Sequence, residues 1–346
     1  MTRVLRNEMS VSKILRNPLS RINQTVKFIP KFNHYKQSYL ETHSSSSVLK
    51  KSMAPTNNGN LCRIAVGQMT STNDQEKNFE TCKLLAEKAA IAQCSFLFLP
   101  ENFSFLGTSQ NDSLSIAQPL DGPLMTRYRS LARDHNLWLS LGGFQETGPD
   151  PDHVYNTHVI VDSQGEIRSA YRKIHLFDVD VPNGPSLRES RTTAPGSKLV
   201  TCRTTPLGTI GLTVCYDLRF PELYQQLTWE KGAQTLVIPA AFTHVTGKAH
   251  WELLLRARAV ECQSFVVAAA QAGQHNEKRT SYGRSLVVDP WGEVVAALED
   301  PWETGVAVAE IDLARVGEVR GRMPIQRHRE QGHKAYFGTE EEATTR

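Results

Sequence analysis

Short apolar runs and stretches of helical periodicity alternate along the first half of the chain. Residues 62–69, 95–99 and 137–141 are runs of mostly apolar residues, which is the pattern of buried strands. Between them, residues 74–93 and 124–134 carry apolar side chains at the three- and four-residue spacing of a helix face. The order strand, helix, strand, helix, strand predicts an α/β sheet with helices packed on it.

The same order returns in the second half. It runs through residues 210–214, 221–231, 235–238, 249–262 and 265–270. Each half then reaches a strand–turn–strand unit, HVIVDSQGEI at 158–167 and SLVVDPWGEV at 285–294, with a glycine in the turn. Two similar halves, each a sheet with helices on one outer face, predict an α/β fold in which two mixed sheets pack face to face as an α-β-β-α sandwich.

Composition fits one large globular unit. The chain has 346 residues, of which 40% are hydrophobic, so it can bury a sizeable core. No apolar run approaches the roughly 18 residues of a membrane span, so no membrane partner is expected. The six cysteines are scattered and form no CxxC pair, which is typical of a reducing compartment and argues against a zinc knuckle or a disulfide framework.

Positive charge is concentrated at the start of the chain. Residues 1–53 hold ten Lys or Arg and two acidic residues, a net of +8, so the remainder carries −5 because the total is +3. A mildly acidic remainder predicts no nucleic-acid partner. We interpret residues 1–60 as a mitochondrial targeting segment followed by a Ser- and Asn-rich linker. Met53 would be an internal start for a cytoplasmic product, so both locations are expected.

Three reactive side chains follow predicted strands. Glu101 comes after the run LFLP, Lys173 stands in YRKIHLFD, and Cys215 in GLTVCYDLRFPE. A carboxylate can take the proton of a thiol as the sulfur attacks a carbonyl carbon. An ammonium and a backbone N–H can then stabilise the oxyanion, and we assign the N–H to Tyr216. This set predicts nucleophilic hydrolysis of a C–N bond with Glu101 as base, Lys173 as oxyanion cation and Cys215 as nucleophile, without a cofactor.

The surroundings of Cys215 add further expectations. A turn into a helix follows at Pro221, and the field of a helix start would favour the Cys215 thiolate. Arg219 lies close to Asp217 and Glu222, which predicts an ion pair within this segment; binding of a substrate carboxylate is the alternative.

The segment at 240–247 also follows a strand and is expected to line the pocket. Phe242 and Thr243 are its candidate substrate contacts.

Two alternatives concern histidines. His175 rivals Lys173, because positions 173 and 175 of a strand face the same side and Cys–His pairs are common in cysteine hydrolases. Acidic residues near His175, and the group His244, His250 and Glu252, raise the question of a metal. Neither group has a recognised metal-site spacing, so no metal is expected.

The three motifs together resemble those of the nitrilase, or carbon–nitrogen hydrolase, superfamily, over roughly residues 62–326. This resemblance implies the α-β-β-α sandwich, favours Lys173 over His175, and implies a second catalytic glutamate, for which Glu189 stands in the expected place. It also implies homo-oligomers formed through helices near the active site. The expected domains are therefore the segment 1–60, a carbon–nitrogen hydrolase domain at 61–330 and a C-terminal tail at 331–346.

Residues 249–254, 256–259, 268–271 and 275–279 resemble one branch of the superfamily more closely. That branch hydrolyses deaminated glutathione to 2-oxoglutarate and cysteinylglycine, a metabolite-repair reaction on a small amide. The alternatives are an omega-amidase acting on 2-oxoglutaramate and a dormant binding protein that keeps the fold. The catalytic motifs do not separate the two amidases.

Overall fold

Strands and helices follow one another in the order that the alternating pattern predicts. The computed structural model describes residues 61–109, 111–180 and 186–337, so the predicted segment 1–60 lies outside the described residues. The described residues fall within one compact unit, Asn57–Arg346. Helix α7 crosses position 330, so the boundary of a C-terminal tail there stays a prediction.

The strands are β1 (Leu61–Met69), β2 (Phe96–Leu99), β3 (Trp138–Thr147), β4 (Val154–Val161), β5 (Ile167–Arg172), β6 (Asp178–Asp180), β7 (Ser186–Arg188), β8 (Thr201–Thr205), β9 (Gly208–Leu212), β10 (Thr235–Val237), β11 (Phe265–Ala268), β12 (Ala270–Asn276), β13 (Arg279–Tyr282), β14 (Leu286–Val288), β15 (Val294–Ala297) and β16 (Gly305–Asp312). The helices are α1 (Gln75–Ile91), α2 (Asp112–Ile116), α3 (Pro123–His135), α4 (Pro221–Gln225), α5 (His244–Cys262), α6 (Ala314–Arg322) and α7 (Ile325–Phe337). Within these ranges, no helix combines the length and the apolar character needed to cross a membrane.

Two sheets share one strand pattern. In the eight-stranded sheet, β1, β2 and β3 are parallel, β4 and β5 continue as an antiparallel hairpin, and β16 pairs antiparallel with β1. In the six-stranded sheet, β9, β10 and β11 are parallel, β14 and β15 form the hairpin, and β8 pairs antiparallel with β9. The internal similarity read from the sequence therefore corresponds to two equivalent six-strand arrangements.

Alternation along β1 and β2 places the sheets in the middle of the molecule. Ile64 and Phe96 belong to the apolar cluster that includes the second sheet, whereas Ala65 and Leu97 pack into the cluster with α1 and α3. Successive side chains of a strand point to opposite faces, so one face of this sheet meets the other sheet and one meets the helices. Trp251 of α5 closes the far side of the second sheet. The predicted α-β-β-α sandwich is confirmed.

Several boundaries differ from the sequence expectation. Helix α5 begins at His244 rather than at 249, because Thr243 caps it by accepting a hydrogen bond from Thr246 N. The helix predicted over 221–231 is α4 followed by a π-helical turn at Gln226–Glu230. Strand β4 begins at Val154, before the predicted start at 158. Strand β12 leaves the second half to pair with the end of β1, which local periodicity does not reveal.

Candidate active site

The ends of three strands bring the reactive side chains to one place. Glu101 lies two residues after β2, and Lys173 directly follows β5, both in the eight-stranded sheet. Cys215 lies three residues after β9 of the six-stranded sheet. All three residues are almost fully buried: the exposed fraction is 4% for Glu101, 2% for Lys173 and 8% for Cys215. The predicted grouping of a carboxylate, an ammonium and a thiol is therefore present, just beyond the ends of β2 and β5 of one sheet and β9 of the other.

Lys173 stands between two carboxylates. Its Nζ lies 3.1 Å from Glu101 Oε1, 3.1 Å from Glu189 Oε1 and 2.8 Å from Glu189 Oε2. Burial would lower the pKa of Lys173, but the charges of Glu101 and Glu189 raise it well above its ordinary value. An ammonium has three protons, so two can bind the carboxylates while a third stays available to a ligand.

Glu101 is held by donors on several sides. Oε1 accepts from Asn156 Nδ2 at 2.9 Å as well as from Lys173, and Oε2 accepts from the backbone N–H of Ala241 at 3.0 Å. Burial would raise the pKa of Glu101, but the Lys173 charge and the donors Cys215 and Asn156 together lower it below its ordinary value. The carboxylate is thus ionised at neutral pH and able to accept a proton.

Cys215 occupies a strained backbone position at the start of a 3₁₀ turn, Cys215–Arg219. Its φ of 47° lies in the left-handed region, which is unfavourable for a residue with a side chain. The Cys215 N–H donates to Pro239 O at 2.8 Å, and Asp217 closes the turn by accepting from Val214 N at 2.8 Å. The turn follows the end of β9 and places Cys215 in the lining of a cavity.

The helix field that was expected to favour the Cys215 thiolate is outweighed at this site. Burial first, and then the negative charge of Glu101, raise the pKa of the Cys215 thiol well above its ordinary value, although Lys173 acts in the opposite direction. The helix expected to supply the field, α4, begins at Pro221, six residues beyond Cys215, and the field of a helix end falls off within one turn. The thiol is therefore protonated at rest and needs a base, and Glu101 is beside it.

His175 is engaged elsewhere. Its Nδ1 lies 2.7 Å from Asp217 Oδ1, and its ring stacks on Phe220 with centroids 3.6 Å apart. Asp217 is fully buried and also accepts from Tyr171 OH at 2.8 Å and from the backbone N–H of His175 at 3.1 Å. The structure thus gives His175 a structural role on Asp217, and it shows that Asp217, which the sequence paired with Arg219, instead binds His175, Tyr171 and the turn that carries Cys215.

Glu189 and Asn156 complete the inner site. Glu189 opens a short 3₁₀ turn and accepts from the backbone N–H of Phe177 at 2.7 Å, in addition to Lys173. Asn156 Nδ2 donates to Glu189 Oε1 at 3.1 Å and so links both glutamates. Sequence reasoning missed Asn156 because its strand was expected to begin two residues later, at 158, whereas β4 begins at Val154.

A cavity of about 540 Å³ opens onto these groups, within the about 300–1,000 Å³ typical of small-molecule sites. Tyr216, Phe242 and Thr243 line it as predicted, and Thr243 also caps α5. Arg219 lines it too, with its guanidinium 5.5 Å from the Phe242 ring centre. The ion pair expected for Arg219 is not found among the described residues, since its neighbour Asp217 is occupied by other donors.

Metal-binding residues are not assembled in the described ranges. No group of three or more His, Cys, Asp or Glu side chains there is arranged to hold an ion. The two groups considered from the sequence, around His175 and around His244, are therefore not brought together as metal sites.

Comparison with known proteins decides the family. The sequence pattern of the family described as carbon–nitrogen hydrolase matches residues 63–321. The chain belongs to the carbon–nitrogen hydrolase family. It is 47% identical over 284 residues to deaminated glutathione amidase of Bos taurus, covering 81% of this chain and 86% of that protein.

Two further relatives extend the comparison. NitFhit of Caenorhabditis elegans, a nitrilase and fragile histidine triad fusion protein, is 49% identical over 269 residues, 77% of this chain and 60% of the longer fusion. Its crystal structure matches with a TM-score of 0.73 over 78% of this chain and 65% of that one, at 48% identity. A mutant amidase of Nesterenkonia sp. AN1, solved with an acetamide moiety added to its active-site cysteine, matches with a TM-score of 0.63 at 25% identity, over 78% of this chain and 98% of that one. The resemblance read from the sequence motifs is confirmed, and the chain is a hydrolase of the amidase type.

Proposed function

We propose that this carbon–nitrogen hydrolase cleaves deaminated glutathione through a thioester on Cys215. The observation that carries the mechanism is the buried contact of Lys173 with Glu101 and Glu189, with Cys215 beside it in one cavity. The 47% identity to the bovine deaminated glutathione amidase supports the substrate.

Acylation uses the groups in a fixed order. The Cys215 sulfur attacks the amide carbon as its proton passes to Glu101. The oxyanion that forms is stabilised by the third proton of Lys173 and by the N–H of Tyr216, which lies in the first turn of a 3₁₀ segment where N–H groups lack helical partners. The C–N bond then breaks, Glu101 gives its proton to the departing nitrogen, and cysteinylglycine leaves.

Deacylation reverses the roles. Glu101, again ionised, takes a proton from water as the oxygen attacks the thioester carbon. The C–S bond breaks, Glu101 returns the proton to the sulfur, and 2-oxoglutarate leaves. Glu189 keeps Lys173 charged and in place throughout, since it holds the ammonium at 2.8 Å. The base is thereby restored at the end of each turnover.

The charges around the cavity support an anionic substrate. The carboxylates that line it, Glu101 and Glu189, are both bound to Lys173. Arg219, Lys278 and Arg279 also line it, and within the described part of the chain none of these three forms an ion pair. Deaminated glutathione has two carboxylates whereas 2-oxoglutaramate has one, so a cavity with several unpaired cations suits the former better.

The direct test compares both amides side by side. Purified wild type and Cys215→Ala are assayed for release of 2-oxoglutarate from deaminated glutathione and from 2-oxoglutaramate. A higher kcat/KM for deaminated glutathione, lost in the variant, supports the proposal. A higher value for 2-oxoglutaramate would assign the chain to the omega-amidases, and turnover of neither would leave the dormant binding protein.

We also propose that two copies of the chain associate through α5. Val245, Leu253 and Val260 are 59%, 67% and 47% exposed, and their spacing places them along one face of that helix. The first turn of α5 lines the cavity, so this face lies near the active site, where the family resemblance places the contact. Leu253→Glu should convert a dimer to a monomer in sedimentation equilibrium. A wild type that is already monomeric would refute the proposal.

We further propose that the longer product enters mitochondria and that a product starting at Met53 remains cytoplasmic. The support is the basic, acid-poor composition of residues 1–53. Fractionation of cells expressing a Met53→Leu version should show loss of the cytoplasmic form. An undiminished cytoplasmic form would exclude an internal start.

A further inference from the structure

Asn156 connects the two glutamates of the active site. Its Nδ2 donates to Glu101 Oε1 at 2.9 Å and to Glu189 Oε1 at 3.1 Å. Lys173 Nζ donates to the same two oxygens, at 3.1 Å each. Two nitrogen donors and two carboxylate oxygens therefore form a closed ring of four hydrogen bonds, with Asn156 opposite Lys173.

The oxygen of the Asn156 side chain has no hydrogen-bond donor within the described residues. This buried Oδ1 lies against Gly143, where an added Cβ would approach it to 2.9 Å. A buried acceptor without a donor is unfavourable. This amide is thus used through its nitrogen alone, since turning it over would set the oxygen against both carboxylates.

An asparagine is suited to this ring for a chemical reason. Its single nitrogen has two protons, one for each carboxylate, and it adds no charge. An aspartate of the same shape would place a third carboxylate beside Glu101 and Glu189, and like charges at this distance disfavour ionisation. Alanine would leave Lys173 as the remaining donor shared between the two glutamates.

We propose that Asn156 is a positioning residue that fixes Glu101 in the ionised, correctly oriented form in which it takes the Cys215 proton. With Oε1 held by Asn156 and Lys173, the carboxylate cannot rotate, and Oε2 stays bound to Ala241 N near the sulfur. This inference rests on the proposed function, because the role of Glu101 as base comes from it.

The test follows the pH dependence of two reactions in wild type, Asn156→Ala and Asn156→Asp. One is hydrolysis of deaminated glutathione. The other is labelling of Cys215 by iodoacetamide, read by peptide mass spectrometry, which needs the base but no amide substrate. In the wild type both rates should stay level between pH 7 and pH 5, because the pKa of Glu101 lies below its ordinary value.

In both variants the rates should fall within that window, since loss of the Asn156 donor raises the pKa of Glu101 and the new Asp carboxylate raises it further. Misplacement of the base should also lower kcat at pH 7, by about 100-fold, whereas KM should change little. If wild type hydrolyses no amide, the proposed function fails while the labelling profile still tests Asn156.

Asn78→Ala is the matched control. Asn78 is a buried asparagine whose Nδ2, like that of Asn156, donates to two oxygens, but these are the backbone carbonyls of Thr72 and Ser104, and none of these three residues lines the cavity. This variant should lose stability without moving the pH profile. Folded variants of Asn156 whose pH profiles match those of wild type would overturn the proposal. Failure of both variants to fold would also overturn it, because Asn156 would then be a structural residue.

Discussion

Replacing Asp217 should test how the nucleophile turn is held. The buried carboxylate accepts four hydrogen bonds, two on Oδ1 from His175 and two on Oδ2, from Tyr171 OH and Val214 N. Asp217→Asn keeps the shape but exchanges one oxygen for a nitrogen that cannot accept. The two donors on that side then lose their acceptor inside the protein.

The magnitude follows from those contacts. A hydrogen bond to a charged group contributes roughly 1.5–3 kcal/mol, so losing two costs about 3–6 kcal/mol before relaxation. Because the bonds share one carboxylate they are not additive, and we expect about 3 kcal/mol of lost unfolding free energy. The turn would also relax away from the left-handed backbone of Cys215, and an error of about 1 Å in the position of the sulfur should lower kcat about 100-fold.

Urea unfolding at pH 7 and steady-state hydrolysis measure both effects on the same sample. Asp312→Asn is the control, since Asp312 is exposed and its carboxylate accepts from the nearby Ala314 N at 2.9 Å. That variant should stay within about 1 kcal/mol of wild type with unchanged kcat. An Asp217→Asn variant with wild-type stability and kcat would refute the account of the turn.

Three further predictions concern the base, the substrate cations and a buried histidine. Glu101→Gln should lower kcat by about 100- to 10,000-fold with the fold intact. A variant whose kcat in a stopped assay is close to that of wild type would exclude Glu101 as base. Arg279→Ala should raise KM for deaminated glutathione at least about tenfold with little change in kcat, whereas the exposed Lys83→Ala should change neither. Burial lowers the pKa of His158 from 6.5 to about 4, so the neutral ring contributes stability above pH 6.5 that is lost towards pH 4, about 3 kcal/mol in total. Urea unfolding at pH 7 and pH 4.5 should show a smaller difference in His158→Gln than in wild type, and equal differences would contradict this.

Patterns along the chain predict the layers and the placement of the reactive groups. The local sequence predicts where the strands before Glu101, Lys173 and Cys215 end, because an apolar run stops where the chain leaves the sheet. The repeated strand order predicts two packed sheets, since each half buries one face. The places of these three side chains in the fold therefore follow from local signals, because parallel strands end at the same edge of a sheet.

Other features depend on contacts between distant parts of the chain. Strand β12 pairs with β1 across about two hundred residues, and no local signal indicates that Gln271 then donates to Glu101 O at 3.0 Å. The protonated state of Cys215 likewise depends on burial and on the charge of Glu101, which the spacing of residues does not supply. Asn156 gains its place only because β4 and the turn at Glu189 meet beside Lys173.

The central claim is a common thioester on Cys215, and hydroxylamine partitioning tests it most directly. Deaminated glutathione and 2-oxoglutaramate carry the same acyl group and differ in the amine that leaves. Wild type is incubated with each amide in the presence of hydroxylamine, and the ratio of hydroxamate to 2-oxoglutarate is measured, with Cys215→Ala as the blank. One shared thioester predicts the same ratio from both amides and no product from the variant. Ratios that differ between the amides, or turnover by Cys215→Ala, would contradict it.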